Sequence, residues 1–193
     1  ALVFKNYNIN ELFYYLNPKI KLASGILNTA LVLEEPFEDP RITANLKIEQ
    51  FEILKTKLGT LDFTTKLGTN NAYDLNAGLK GGAIHLDLGG DYRASGTESN
   101  INLDIALYAF KMEALNNFSF GELKEGKGTL SGQFNVSGST SNPQYKGQLN
   151  FNEASFNIAK LNTGFTLVQE TLEIDNSGVT MSDFTIHDEA KNP

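Results

Sequence analysis

Residues 128 to 156, GTLSGQFNVSGSTSNPQYKGQLNFNEASF, alternate apolar and polar positions almost without a break. Leu130, Phe134 and Val136, with Gly132 between them, recur at a spacing of two, while Thr129, Ser131, Gln133 and Asn135 fill the intervening positions. A period of two puts each set on one face of a β-strand. After the turn SGSTSNP, a second run places Tyr145, Gly147, Leu149 and Phe151 on one face, opened by Pro143, a residue tolerated at the start of a strand but not within a central one. The pattern continues through Phe156 and Ile158, Phe165 and Leu167, Leu172 and Ile174, Val179 and Met181, and Phe184 and Ile186. Turn signals such as DNSG separate these runs about every ten residues, the rhythm of an all-β fold.

Two segments break the alternation. NINELFYYLNP offers Asn10 as a helix cap before Glu11 and a mixed apolar run stopped before Pro18, and FKMEALNNF is helix-like as well. Each predicts one or two helical turns.

An internal repeat is also visible. Residues 25 to 58 lie over residues 128 to 161 at a constant offset of 103, matching Gly25 with Gly128, Leu27 with Leu130, Leu31 with Phe134, Leu33 with Val136 and Pro40 with Pro143. Ile42, Ala44, Leu46, Ile48, Ile53 and Leu58 then fall on Tyr145, Gly147, Leu149, Phe151, Phe156 and Leu161. The coincident Pro and Gly positions carry the match, since any two alternating strands agree in face half the time. The expected organisation is one elongated β-domain, residues 1–193, with repeats over 20–117 and 118–193 in an array of sheets laid end to end.

Composition removes function classes rather than adding them. The 193 residues include no Cys and no Trp, which excludes a disulfide scaffold and a thiolate metal site. A formal charge of −7 repels phosphate backbones, so nucleic acid is not an expected partner. The opening ALVFKNYNIN has neither a basic nor an apolar leader region, and no stretch approaches a membrane-spanning length, so the chain is expected to be a soluble piece of something longer.

The segment from Gly128 to Asn192 resembles the C-terminal conserved region of the TamB family, the translocation and assembly module subunit within the AsmA-like bridge-like lipid-transfer superfamily, in a Bacteroidota-like form. The resemblance rests on the G-x-L-x-G start, the P-x-hydrophobic-x-G turn, L-x-F-x-x-A-x-F, and a closing FTIHDEAKN in which Asp188 and Asn192 fit and Lys191 stands where the family has Gly. It covers 118–193 well and 20–117 loosely. It implies an all-β, elongated, curved antiparallel sheet folded into a taco-like open groove, with at most one or two short helices. It also implies a Gram-negative envelope protein, anchored in the inner membrane, that spans the periplasm to a TamA-like outer-membrane barrel. Its apolar groove would carry phospholipid acyl chains or assist outer-membrane protein strands during assembly. The residues expected to line such a groove are Leu46, Ile48, Leu130, Phe134, Val136, Tyr145, Leu149, Phe151, Phe156, Ile158, Leu172, Ile174, Phe184 and Ile186. The alternative is a closed β-repeat or adhesin-like module in which the same side chains pack against one another.

Catalytic motifs are absent from this reading, and neither an enzyme nor a cofactor is expected. GELKEGKGT at 121–129 approaches a phosphate-binding loop, but Gly128 follows Lys127 and a strand pattern comes next, where such a loop needs a helix. His85 and His187 sit in separate strands about a hundred residues apart. His187 with Asp183, Asp188 and Glu189 forms a weak surface cation arrangement, read as solvated strand-edge charge.

Overall fold

A computed structural model describes residues 1–16, 22–34, 41–68, 72–95, 98–188 and 192. The chain is all-β, and its strands form one antiparallel sheet that is curved and does not close. In chain order the elements are β1 (Leu2–Asn8), α1 (Ile9–Leu16), β2 (Ala23–Glu34), β3 (Arg41–Ile53), β4 (Thr56–Leu67), β5 (Ala72–Gly81), β6 (Ile84–Ser95) and β7 (Glu98–Lys111). A 3-10 turn (Met112–Ala114) then runs into α2 (Leu115–Phe118), followed by β8 (Leu123–Ser139), β9 (Gln144–Ile158), β10 (Thr163–Asp175), β11 (Gly178–Met181) and β12 (His187–Asp188). Strands β1 to β11 lie side by side in sequence order, and β12 pairs with β10. The expected end-to-end array of sheets is therefore one continuous sheet, because each strand bonds to the next one in the chain.

Both helix-like segments are helical. The first begins one residue before the expected cap: Asn8 Oδ1 accepts the Asn10 N–H at 3.0 Å, so Asn8 rather than Asn10 satisfies the first turn.

Register follows the offset closely. Leu2↔Leu31, Phe4↔Thr29 and Tyr7↔Leu27 between β1 and β2 reappear as Ile105↔Phe134, Leu107↔Gly132 and Phe110↔Leu130 between β7 and β8, each residue shifted by 103. The irregularity between Phe4 and Tyr7 recurs between Leu107 and Phe110. The β2–β3 pairs from Ser24↔Glu52 to Glu34↔Arg41 recur as Lys127↔Ser155 to Ser137↔Gln144. Left-handed backbone recurs too, at Gln50 and Glu153 (φ 52° and 48°) and at Gly25 and Gly128. At Gly128 (φ 80°) a Cβ would lie 2.2 Å from the Glu153 carbonyl oxygen, so only glycine closes that bulge. The correspondence begins at β1 and β7 and includes the helices, where Ile9 and Met112, also 103 apart, are both buried.

A sheet this wide with so little above it is poorly covered. The accessible surface is 12415 Å², where a compact 21.2 kDa monomer would expose about 9,100 Å². Burial is reached near the helices, at Ile9, Ala23, Met112 and Ala114, at Leu58, Ala154 and Leu167 on the bulged ends of their strands, and at Ala72 and Leu79 in β5. The helical segment 112–118 sits on the apolar face: the Phe118 ring lies 6.0 Å from that of Phe110, and Asn117 Nδ2 donates to Thr56 Oγ1 at 3.0 Å.

Candidate functional site: an unroofed apolar sheet face

Register converts the alternation into rows. One runs Phe4, Thr29, Leu46, Phe63, Ala77, Leu88, Ile105, Phe134, Gly147, Ile174 and Val179, one residue from each of β1 to β11. The next runs Tyr7, Leu27, Ile48, Leu61, Leu79, Leu86, Leu107, Gly132, Leu149, Leu172 and Met181. A third, from Leu2 and Leu31 through Leu75, Leu103 and Val136 to Tyr145, flanks the first. With strands about 4.8 Å apart and rows about 7 Å apart, the band is about 50 Å long and on the order of 700 to 1,000 Å². Few monomers leave so large a contiguous apolar patch uncovered.

Exposure along these rows rises outward. Central side chains such as Phe63, Leu88, Ile105 and Phe134 are half-buried, and Leu79 is buried. At the margins Leu2, Leu33, Ile42, Tyr145, Val179 and Met181 are exposed. Size complementarity tightens the second half: the Phe134 ring covers Gly147 and Gly132, where an added Cβ would stand 2.3 Å and 3.0 Å from ring atoms.

Of the expected lining residues, Leu46, Ile48, Leu130, Phe134, Val136, Tyr145, Leu149, Phe151, Leu172 and Ile174 share this face. Phe156 and Ile158 have the opposite parity in β9, and the bulge at Glu153, two residues against one, returns them to the same side. Phe156 meets Phe165 at 6.1 Å. Phe184, outside any strand, packs edge-on against Phe151 at 5.8 Å, and Ile186 is exposed. Sequence reasoning missed the middle of the band: Leu61, Phe63, Leu75, Leu79, Leu86, Leu88, Leu103, Ile105 and Leu107 alternate just as plainly but lie between the two repeat copies.

The opposite face is polar. A depression of about 870 Å³ runs across β4 to β9, lined by Phe63, Ala77, Leu88, Ile105 and Phe134 of the first row together with strand neighbours such as Asp62, Asn76, Asp87, Asp104, Asn135 and Lys146. Within it Asn135 Nδ2 donates to Asp104 Oδ1 at 3.0 Å, which ties neighbouring strands together.

Titratable groups contribute little. The carboxylate of Asp175 accepts the side-chain hydroxyl and the N–H of Ser177, which hold its pKa below the ordinary carboxylate value. His85 stacks on Tyr108 at 4.7 Å on the polar face. Among the described residues no three His, Asp or Glu gather to hold a metal ion, and Glu189, part of the weak cation arrangement, lies outside them. The Gly121–Thr129 segment enters β8 and no helix follows, so it lacks the helix N-terminus a phosphate loop requires. Asp188 and Asn192 do close on each other: Asp188 Oδ1 accepts the Asn192 N–H at 2.8 Å and Oδ2 accepts from its side-chain amide at 3.0 Å. No helix among the described residues is long and apolar enough to cross a membrane.

No protein-family model matches the chain, and no curated protein or solved structure does so either.

Proposed function

We propose that the chain is a TamB-like envelope scaffold segment whose apolar face shields acyl chains of phospholipid in passage between membranes. One observation supports this above others: rows of apolar side chains cross eleven strands, and two short helices, α1 and the segment 112–118, are the only helical cover among the described residues. Each methylene kept from water is worth about 0.8 kcal/mol, so a two-chain lipid with roughly 30 methylenes gains on the order of 20 kcal/mol from such a wall. That work needs no catalytic group. The setting in this proposal is the periplasm, with the whole protein held in the inner membrane and meeting a TamA-like barrel at the outer one.

A second reading, binding of an outer-membrane protein strand, draws on β1, which lies at one edge of the sheet. An extended segment could add there by β-augmentation. An adhesin-like sealed module would need its apolar face covered along the whole band.

Native mass spectrometry of the detergent-free protein, followed by lipid extraction, tests the first reading. Phospholipid in a reproducible ratio is expected, and Leu149→Asp should abolish loading while the protein stays folded. A lipid-free, thermally stable wild type would leave strand binding as the better account.

A further inference from the structure

The second repeat ends in a projection that the first lacks. After Ile53↔Thr56, strands β3 and β4 part at a two-residue turn, Leu54 and Lys55. The equivalent pair is Phe156↔Phe165, from which β9 and β10 run on through Asn157↔Gly164 and Ile158↔Thr163 to a turn at 159–162. At its tip Leu161 is 63 % exposed. The adjoining loop between α2 and β8 holds Phe120, 83 % exposed and at φ 54°, a backbone conformation that is costly for a bulky residue. The loops are fastened together: Ala159 N–H donates to the Glu122 carbonyl at 2.9 Å, Lys160 pairs with Glu122 at 3.2 Å, and Lys124 Nζ donates to Asn162 Oδ1 at 3.3 Å.

We propose that this paired-loop tip inserts Phe120 and Leu161 into the interfacial region of a phospholipid bilayer. Its backbone suits a medium poor in water: the N–H of Phe120 donates to Asn117 at 3.3 Å and that of Gly121 to Asn116 at 2.8 Å. Those of Leu161 and Asn162 both donate to the Ile158 carbonyl, at 3.1 Å and 2.9 Å. Donors already satisfied within the tip do not have to be stripped of water. The acid nearest the tip, Glu122, is paired with a lysine, and lysine stems can lie along the acyl boundary with the ammonium in the headgroup layer. Convex tips carrying an aromatic and an aliphatic side chain enter a fluid interface without a matching pocket, whereas a rigid protein partner would have to supply one for each. The inference is independent of lipid carriage by the apolar face.

Because the chain has no Trp, Phe120→Trp and Leu161→Trp are single fluorescent reporters. With vesicles of phosphatidylcholine, alone and mixed with phosphatidylglycerol, each reporter should shift to the blue and be quenched by lipids brominated on the acyl chain. The double variant Phe120→Ser, Leu161→Ser alters exposed positions, so it should keep the wild-type circular dichroism while partitioning to vesicles roughly a hundredfold more weakly, about tenfold per side chain. Unshifted, unquenched reporters overturn the proposal, including when the protein binds vesicles through another surface. So does a double variant that partitions like wild type.

Discussion

Residues 2–53 and 105–156 share a register almost residue for residue, yet the two halves solve the same packing problem with different side chains. Where the first half sets Leu31 beside Ala44, the second sets Phe134 beside Gly147 and lays the ring over the missing Cβ. Leu31 is exposed and Phe134 half-buried. The lesson is that register is held by the bulges and alternation common to both halves, while coverage of the apolar face is set locally by paired sizes. Beyond Ile53 and Phe156 the halves part, since 156 − 53 is 103 but 165 − 56 is 109, an insertion of six residues.

That insertion yields the largest predicted contrast. By register, Leu58 corresponds to Leu167, both 2 % exposed, and not to Leu161 as the constant offset would have it. Leu58→Ala and Leu167→Ala should each lose about 2 to 4 kcal/mol in urea unfolding, and Leu161→Ala less than about 0.5. Equal losses at Leu58 and Leu161 would restore the plain offset and break the structural correspondence.

The bulge glycines come next. Gly128→Ala meets backbone oxygen at 2.2 Å, whereas at Gly25 the nearest atom is the Ile48 Cγ2 side-chain carbon at 2.7 Å and the nearest backbone oxygen, that of Glu49, stands off at 3.0 Å. A loss of about 3 kcal/mol at Gly128 and about half that at Gly25 is expected from thermal melts, because a side-chain methyl can yield and a carbonyl in a ladder cannot. Identical losses would mean that left-handed backbone alone sets the cost.

A milder contrast lies on the apolar face. Gly147→Ala should cost about 2 to 3 kcal/mol, since the added Cβ would meet the Gln133 carbonyl oxygen at 2.5 Å as well as the Phe134 ring at 2.3 Å, and Ala44→Gly in the first half about 0.5 to 1 from backbone entropy. Pairing Gly147→Ala with Phe134→Leu should recover only the ring's share and leave the clash with the Gln133 carbonyl, a split that a double-mutant cycle would register.

The smallest effect concerns the β10–β11 turn, between Asp175 and Gly178. The pKa of Asp175 is depressed in the folded state by Ser177, so its contribution is present above the unfolded value and lost as pH falls through the folded one. Amide protection in β11 should weaken only under acid conditions, and Asp175→Asn should remove that pH dependence.

Much of the fold was legible. Alternation at Leu130, Phe134, Val136 and Leu149 predicts strands, and the two helical segments stand out where alternation stops. The cap at Asn8 was missed because Asn10 heads an equally plausible Asn-Glu start, and only the backbone shows which amide lacks a partner. Phe156 and Ile158 look misphased in sequence, since the left-handed residue of their bulge, Glu153, is not a glycine and its type does not mark the change of parity. The central rows from Phe63 to Ile105 alternate as plainly, but only the register between neighbouring strands shows that they continue the rows of the two copies.

By itself the sequence determined what depends on neighbours along the chain: period-two strands, turns, helix starts, the glycines that a left-handed bulge demands, and a repeat of 103 residues. Tertiary structure decided what depends on strands meeting: that the copies join in one sheet, that its apolar rows line up across eleven strands, and that Leu167 takes the place of Leu58. It also decided that, among the described residues, little lies over the apolar face. An apolar strand face looks the same in sequence whether a second sheet, a helix or a lipid covers it, because the hydrophobic effect rewards removal from water without specifying by what.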